Sequence, residues 1–121
     1  MAEVRMKRNR TRMYKLKNRL VTKDREGVPI ISYTSEKDVK AEIWAARDQL
    51  QVATYGDRTN NILNMRVYGK YTAYNDGSMA YDLGDFVLRA GDGACIYDET
   101  PDYKVISIRP YQHLVLELEK L

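Results

Sequence analysis

The sequence has one cysteine, one histidine, one tryptophan, one phenylalanine and three prolines in 121 residues. A single cysteine, Cys95, excludes an internal disulfide and fits a chain made in a reducing compartment. A single histidine, His113, has no second His or Cys at ligand spacing, so no metal site is expected. No apolar run approaches the ~20 residues of a membrane-spanning helix, so no membrane partner is expected. The basic first residues lack the apolar centre of a secretory signal.

Catalytic patterns are equally scarce. Gly91-Asp92-Gly93 lacks the Lys-Ser/Thr pair and the following helix of a phosphate loop, and a hairpin turn accounts for it. Asp76, Asp82, Asp85 and Asp92 fall in turns, and their spacing does not match a calcium loop. A Cys95–His113 nucleophilic pair would stand without any surrounding motif. The expectation is therefore a protein that is not an enzyme and carries no cofactor.

What the sequence does contain is alternation. In Val39-Lys40-Ala41-Glu42-Ile43-Trp44-Ala45-Ala46, the residues Val39, Ala41, Ile43 and Ala45 point one way, and Lys40, Glu42 and Trp44 the other. Arg12 to Thr22 alternates too, with Tyr14, Leu16, Asn18 and Leu20 opposing a largely basic row. Lys23-Asp24-Arg25-Glu26-Gly27 is a turn, and Pro29 suits the start or edge of the β run that follows. Ser35-Glu36-Lys37-Asp38 breaks that run, or only bends one long strand. Ile62 to Tyr74, Asp85 to Arg89 and Cys95 to Tyr97 are β-prone, with Asn75-Asp76-Gly77-Ser78 as a hairpin signal. Tyr103 to Arg109 and His113 to Leu121 form a terminal antiparallel pair. This predicts a mainly β fold: a small antiparallel barrel or sandwich of six or seven strands, with one domain over residues 12–121.

Two features interrupt the β pattern. The polar run Arg47-Asp48-Gln49-Leu50-Gln51-Val52-Ala53-Thr54-Tyr55-Gly56-Asp57-Arg58-Thr59-Asn60-Asn61 has no clean period and is read as a long loop holding a short helix or an extended arm. Loops of that length in small β domains are usually functional or mobile. The second is charge. Residues 1–25 hold ten Lys/Arg against two Asp/Glu, whereas residues 26–121 hold ten against fifteen. Residues 1–11, with Arg5, Lys7, Arg8 and Arg10, read as a flexible basic arm, and Arg12 continues its charge into the first strand. Such an arm suits nucleic acid or an acidic face of another subunit. Ten tyrosines against one phenylalanine suit ordinary barrel packing with hydroxyls at the rim, a surface buried on assembly, or stacking on nucleic acid, the last disfavoured by the acidic part of the chain in which they lie.

The order of these features resembles the tailed-phage head–tail joining family, the head-closure or stopper proteins. The resemblance rests on a basic strand, the Lys23-Asp24-Arg25-Glu26-Gly27 turn, the Val39-Lys40-Ala41-Glu42-Ile43-Trp44-Ala45 strand and a polar loop after it. Tyr103-Lys104-Val105-Ile106-Ser107-Ile108 and the Leu/Glu-rich strand from Leu114 to Leu118 complete it. Two departures stand out: Met79–Ile96 is longer and richer in glycine than the family pattern, and Arg47-Asp48-Gln49-Leu50 replaces the usual Ser-Gly-Arg-Glu-like sequence. The resemblance implies a small β-barrel in a virion, made in the host cytoplasm, that joins copies of itself in a ring, commonly twelve-fold, at the head–tail junction. Its implied partners are the portal or adaptor protein, a tail-completion or tail-terminator protein, and packaged DNA. It further implies that Arg47 to Asn61 reaches the DNA channel. The competing expectation is a nucleic-acid-binding barrel with a basic arm.

Overall fold

The computed structural model describes residues 11–74, 77 and 79–121. The two alternating runs near the start become its longest strands, β1 (Arg12–Lys23) and β2 (Pro29–Ala45). Their turn is built as its residues require. The Asp24 carboxylate accepts the backbone N–H groups of Glu26 and Val28 at 2.8 and 2.9 Å, and Gly27 takes a φ of +82° that favours glycine. The Ser35–Asp38 interruption is a bend within one strand. Register passes from Lys17 opposite Glu36 to Arg19 opposite Tyr33, so Thr34 and Ser35 together face Asn18.

The chain continues through helix α1 (Gln49–Tyr55), a 3-10 turn (Gly56–Asn61), β3 (Ile62–Val67), β4 (Thr72–Ala73), β5 (Tyr81–Asp82), β6 (Val87–Leu88), β7 (Gly93–Cys95), β8 (Tyr103–Pro110) and β9 (Leu114–Lys120). Six strands close an antiparallel barrel in the order β1-β2-β3-β9-β8-β7, and β4-β5-β6 form a separate small sheet. Closure depends on β7, which pairs with both β1 and β8 through three residues or fewer. Gly93 is required there: a Cβ would come within 2.7 Å of the Tyr33 ring and 2.8 Å of Pro101.

The barrel interior holds Leu16, Val39, Ala41, Met65, Val67, Val105, Leu114, Leu116 and Leu118, and Tyr81 and Leu88 of the small sheet, with Phe86 just before β6, join the same core. Burying a Leu or Phe side chain contributes roughly 1.5–3 kcal/mol. This interior is therefore the main favourable term for the fold.

Four expectations are corrected. Cys95 to Tyr97 is not a strand through its length. The chain leaves the ladder after Cys95 because the Asp102 carboxylate takes the N–H groups of Ile96 and Tyr97 at 2.8 and 3.0 Å. The Ile62–Tyr74 run divides into β3 and the two-residue β4. Leu20 does not share the inward row of Leu16, since every residue from Arg19 to Ser32 is exposed. Past Arg19 and Tyr33, β1 and β2 leave the barrel wall as a two-stranded ribbon. Lastly, the inward row of β2 ends at Ile43: Ala45 is exposed, and Ala46 is buried in its place.

Candidate functional site

The polar run Arg47–Asn61 is the first candidate, and it is not an irregular loop. Asp48 caps α1 by accepting the N–H groups of Leu50 and Gln51 at 2.8 and 3.1 Å, and Gly56 ends it with a φ of +58°. Of the two expected forms, a short helix or an extended arm, the helix is the one present; apolar periodicity could not choose between them because the buried residue of the helix is polar. Gln51 is 3% exposed, whereas Leu50 and Val52 are 64% and 49% exposed. The helix therefore shows no apolar face towards the barrel, and a search for apolar period 3.6 passes over it.

Strand parity places the helix on the outer wall. Met65 and Leu116 point into the barrel, so their neighbours Asn64 and Glu117, paired across β3 and β9, point out. Gln51 lies over both. Its Nε2 donates to Asn64 Oδ1 at 2.5 Å and to Glu117 Oε2 at 2.8 Å, while Asn64 Nδ2 donates back at 3.1 Å. Arg109 donates to Glu117 Oε1 at 3.1 Å, so this carboxylate, 1% exposed, is charge-paired as well as hydrogen-bonded. Tyr55, half-buried beside it, has its phenol pKa raised, chiefly by burial and then by the Glu117 charge. The 3-10 turn is fastened separately. Arg58 makes a bidentate pair with Glu119, both bonds at 2.7 Å, and its guanidinium lies 5.5 Å from the Tyr55 ring centre. Three residues of the run thus clamp it to the wall. Arg47, Gln49, Leu50, Val52, Ala53, Thr54, Asp57, Asn60 and Asn61 remain exposed, with Thr59 partly so.

Two predictions follow from this clamp. Gln51→Ala leaves the Asn64 amide and the Glu117 carboxylate short of partners beneath the helix, and is expected to cost about 2 kcal/mol. Urea unfolding measures the loss, and amide exchange should accelerate in α1 before the barrel strands. The second concerns acid. The Arg58 side-chain hydrogen bond holds the Glu119 carboxyl below the usual glutamate range. The folded pKa lies below the unfolded one, so this contribution is present above about pH 4 and fades as pH falls through the lowered folded value. A carboxyl-carbon NMR titration is expected to put the Glu119 midpoint below that of a free glutamate. Arg58→Ala should raise it.

The other candidates are accounted for one by one. Arg5, Lys7, Arg8 and Arg10 lie outside the described residues, as does Asp76; Arg12 opens β1 as an exposed residue opposite Ala41. Asp82 accepts the Gly84 N–H at 2.8 Å, and Asp85 pairs with Lys37 at 2.7 Å. Asp92 is buried and accepts three donors, from Asn18, Arg19 and Arg89. Cys95 is buried, its Sγ 3.5 Å from the Glu99 carbonyl, and burial pushes its thiol pKa up, the direction opposite to an activated thiolate. His113 stacks edge-on against Tyr68 at 4.9 Å, its buried Nδ1 without a partner among the described residues. Also among the described residues, no group of three His, Cys, Asp or Glu is placed to hold a metal.

The tyrosines divide between buried, hydrogen-bonded and exposed positions. Tyr81 and Tyr103 belong to the core, Tyr68 donates to Glu42 at 3.1 Å, and Tyr71 donates to the Tyr111 carbonyl. Tyr97 and Tyr111 are 78% and 60% exposed. No family model, no curated protein and no solved structure matches the chain.

Proposed function

We propose that the chain is a structural subunit of a tailed-phage virion, a head-closure or stopper protein at the head–tail junction. It joins copies of itself in a ring, commonly twelve-fold, below the portal and its adaptor. The ring helps to retain packaged DNA and offers a surface to the tail-completion protein. The observation that carries this reading is the ribbon from Arg19 to Ser32, in which Leu20, Val21, Ile30 and Ile31 are each 44% exposed or more. A ribbon with apolar side chains in water suits subunit contact rather than substrate turnover. The motif order adds support: the quoted segments follow one another as β1, its turn, β2, β8 and β9 of one closed barrel. Under this reading, α1 and the 3-10 turn line the channel where the outer wall turns towards the ring axis.

Electron microscopy of the chain mixed with a tailed-phage portal assembly, together with the identity of the neighbouring genes, tests the proposal. A ring beneath the portal is the expected image. A chain that never joins such an assembly, and whose neighbouring genes encode no capsid or portal protein, would overturn it.

A second reading, a nucleic-acid-binding barrel, draws on the ten Lys/Arg within residues 1–25. It requires duplex affinity that falls steeply with salt and disappears when Met1 to Thr11 are deleted. Lys15 weighs against it, because Glu36 already holds its ammonium at 2.7 Å.

A further inference from the structure

The ribbon from Arg19 to Ser32 is the largest feature that the fold itself leaves unexplained. Cross-strand partners share a face, so Val21 and Ile31 lie on one side with Lys23 and Pro29, and Leu20 and Ile30 lie on the other. Both faces therefore carry apolar side chains, and a one-sided ribbon lying on its own barrel would not need this. The edges are also open. β1 meets β7 only over Lys15–Lys17, and β2 meets β3 only over Ala41–Ala45. A two-stranded ribbon alone in water is marginal, and open apolar edges invite pairing with another chain.

The molecule also carries a matching surface. β7 runs antiparallel to β1, with Lys17 opposite Gly93 and Lys15 opposite Cys95. The ribbon thus leaves one end of the β1–β7 pair, and the turn after β7 leaves the other. That turn bears Tyr97, 78% exposed, and the exposed carboxylates Asp98 and Glu99. Beside it lies an open groove of about 720 Å³, whose lining includes Met13, Tyr14 and Ile96 with Asp98 and Glu99. Lys15 and Lys17 also border the groove, and Lys15 is held by Glu36. Charge matches the two ends. The ribbon, residues 19–32, holds Arg19, Lys23 and Arg25 against Asp24 and Glu26, whereas the groove holds Glu36, Asp38, Asp98 and Glu99 against Arg12, Lys15 and Lys17. Lys23 and Arg25, near the ribbon tip, make no ion pair among the described residues, nor do Asp98 and Glu99.

We infer that the β1–β2 ribbon of one copy docks in the Met13–Ile96 groove of a second copy, its apolar side chains against the groove and Lys23 and Arg25 against Asp98 and Glu99. The two surfaces differ and sit at opposite ends of the β1–β7 pair. The contact is therefore head-to-tail, and repeats into a closed ring or an open filament rather than a twofold dimer. The inference rests on the connector reading, because it names the contact from which that ring is built.

Sedimentation of the full chain across micromolar to millimolar concentration tests it. The natural sequence is expected to associate. Lys23→Glu with Arg25→Glu, and separately Asp98→Lys with Glu99→Lys, should each weaken association at least about tenfold. Mixing the two variants should restore it, since each then supplies the other's complement. Val21→Ser with Ile31→Ser, both exposed, should weaken association while circular dichroism stays unchanged. On a Cys95→Ser background, Ile31→Cys and Asp98→Cys should form an interchain disulfide. A chain that stays monomeric throughout, association untouched by the ribbon variants, or a mixture that fails to recover would each overturn the inference. If imaging finds the ring but the charge swap changes nothing, this contact alone fails. If the charge swap works and no ring occurs at the portal, the connector reading fails and the contact stands.

Discussion

Replacing Leu116 by alanine is expected to destabilise the barrel by about 3 kcal/mol, within the range of emptied core sites. Leu116 is fully buried, and its β9 position pairs with Met65 on β3 and Ile108 on β8. Both neighbours are held in antiparallel ladders, that of β8 broken only at the bulge between Val105 and Ser107, so the wall cannot freely close over the space that the missing carbons leave. A domain of this size has about 5–15 kcal/mol of stability in all. The substitution should therefore remove a large fraction of it and lower the thermal midpoint by about 12 °C, at ~4 °C per kcal/mol for a domain of this size. The check is urea unfolding at constant slope. A loss below about 1 kcal/mol would mean that the interior is not packed at this layer. Ile31→Ala provides the contrast: Ile31 is 56% exposed, so the same type of truncation should move stability by less than about 0.5 kcal/mol.

That contrast marks how much of the fold could be read from the sequence. Alternation reports which residues share a face, and it placed β8 and β9, which keep one face on the barrel interior, and β1 and β2, which bury only Leu16, Val39 and Ala41 there. It does not report where a strand leaves the barrel. Leu20 and Ile31 continue the pattern of their strands, yet they stand in solvent. The pattern is the same whether the apolar face meets this chain's core or another molecule. The small sheet was read least well, because strands of two residues are shorter than any period that can be recognised.

The candidate site was legible in position, and in form as one of two alternatives, but not in its contacts. Polar composition marked Arg47–Asn61 as an interruption between two strands, and so it is. What composition cannot convey is that Gln51 finds Asn64 and Glu117, residues 13 and 66 positions away. A buried amide looks like a surface residue until its partners are known. The N-cap Asp48 and the terminating Gly56 were the available local signals, and they fit a helix of seven residues.

Asp92→Ala should be the costliest change outside the apolar core, for the same reason. A turn between glycines makes Asp92 look like ordinary loop chemistry, but it is only 5% exposed. Its Oδ1 accepts the Arg19 N–H at 3.1 Å. Its Oδ2 accepts the Arg89 N–H at 2.9 Å and Asn18 Nδ2 at 3.0 Å. Its own carbonyl accepts the Val105 N–H at 2.8 Å. One side chain thus ties β1 to the segment between β6 and β7, while its backbone ties that segment to β8. Alanine keeps the backbone bond and strands the three donors that the carboxylate served, two backbone N–H groups and the Asn18 amide. At roughly 1–3 kcal/mol for each unmet buried donor, reduced where water can reach it, the expected total is about 3–4 kcal/mol. Asp92→Asn keeps one accepting oxygen and turns an amide towards the remaining donors, so it should recover only part. The location adds a second readout. Asn18 is the single β1 residue opposite the bulge, and Arg19 is where β1 leaves the barrel, so Asp92 fixes the direction in which the ribbon departs. Amide exchange at Arg19 and Arg89 should therefore rise in Asp92→Ala well before that of β9. If the proposed ribbon contact holds, self-association should also weaken at temperatures where the barrel is still folded, because a ribbon freed at its base has more orientations to lose on docking. Stability within about 0.5 kcal/mol of the natural sequence would show that the three bonds are replaceable by water.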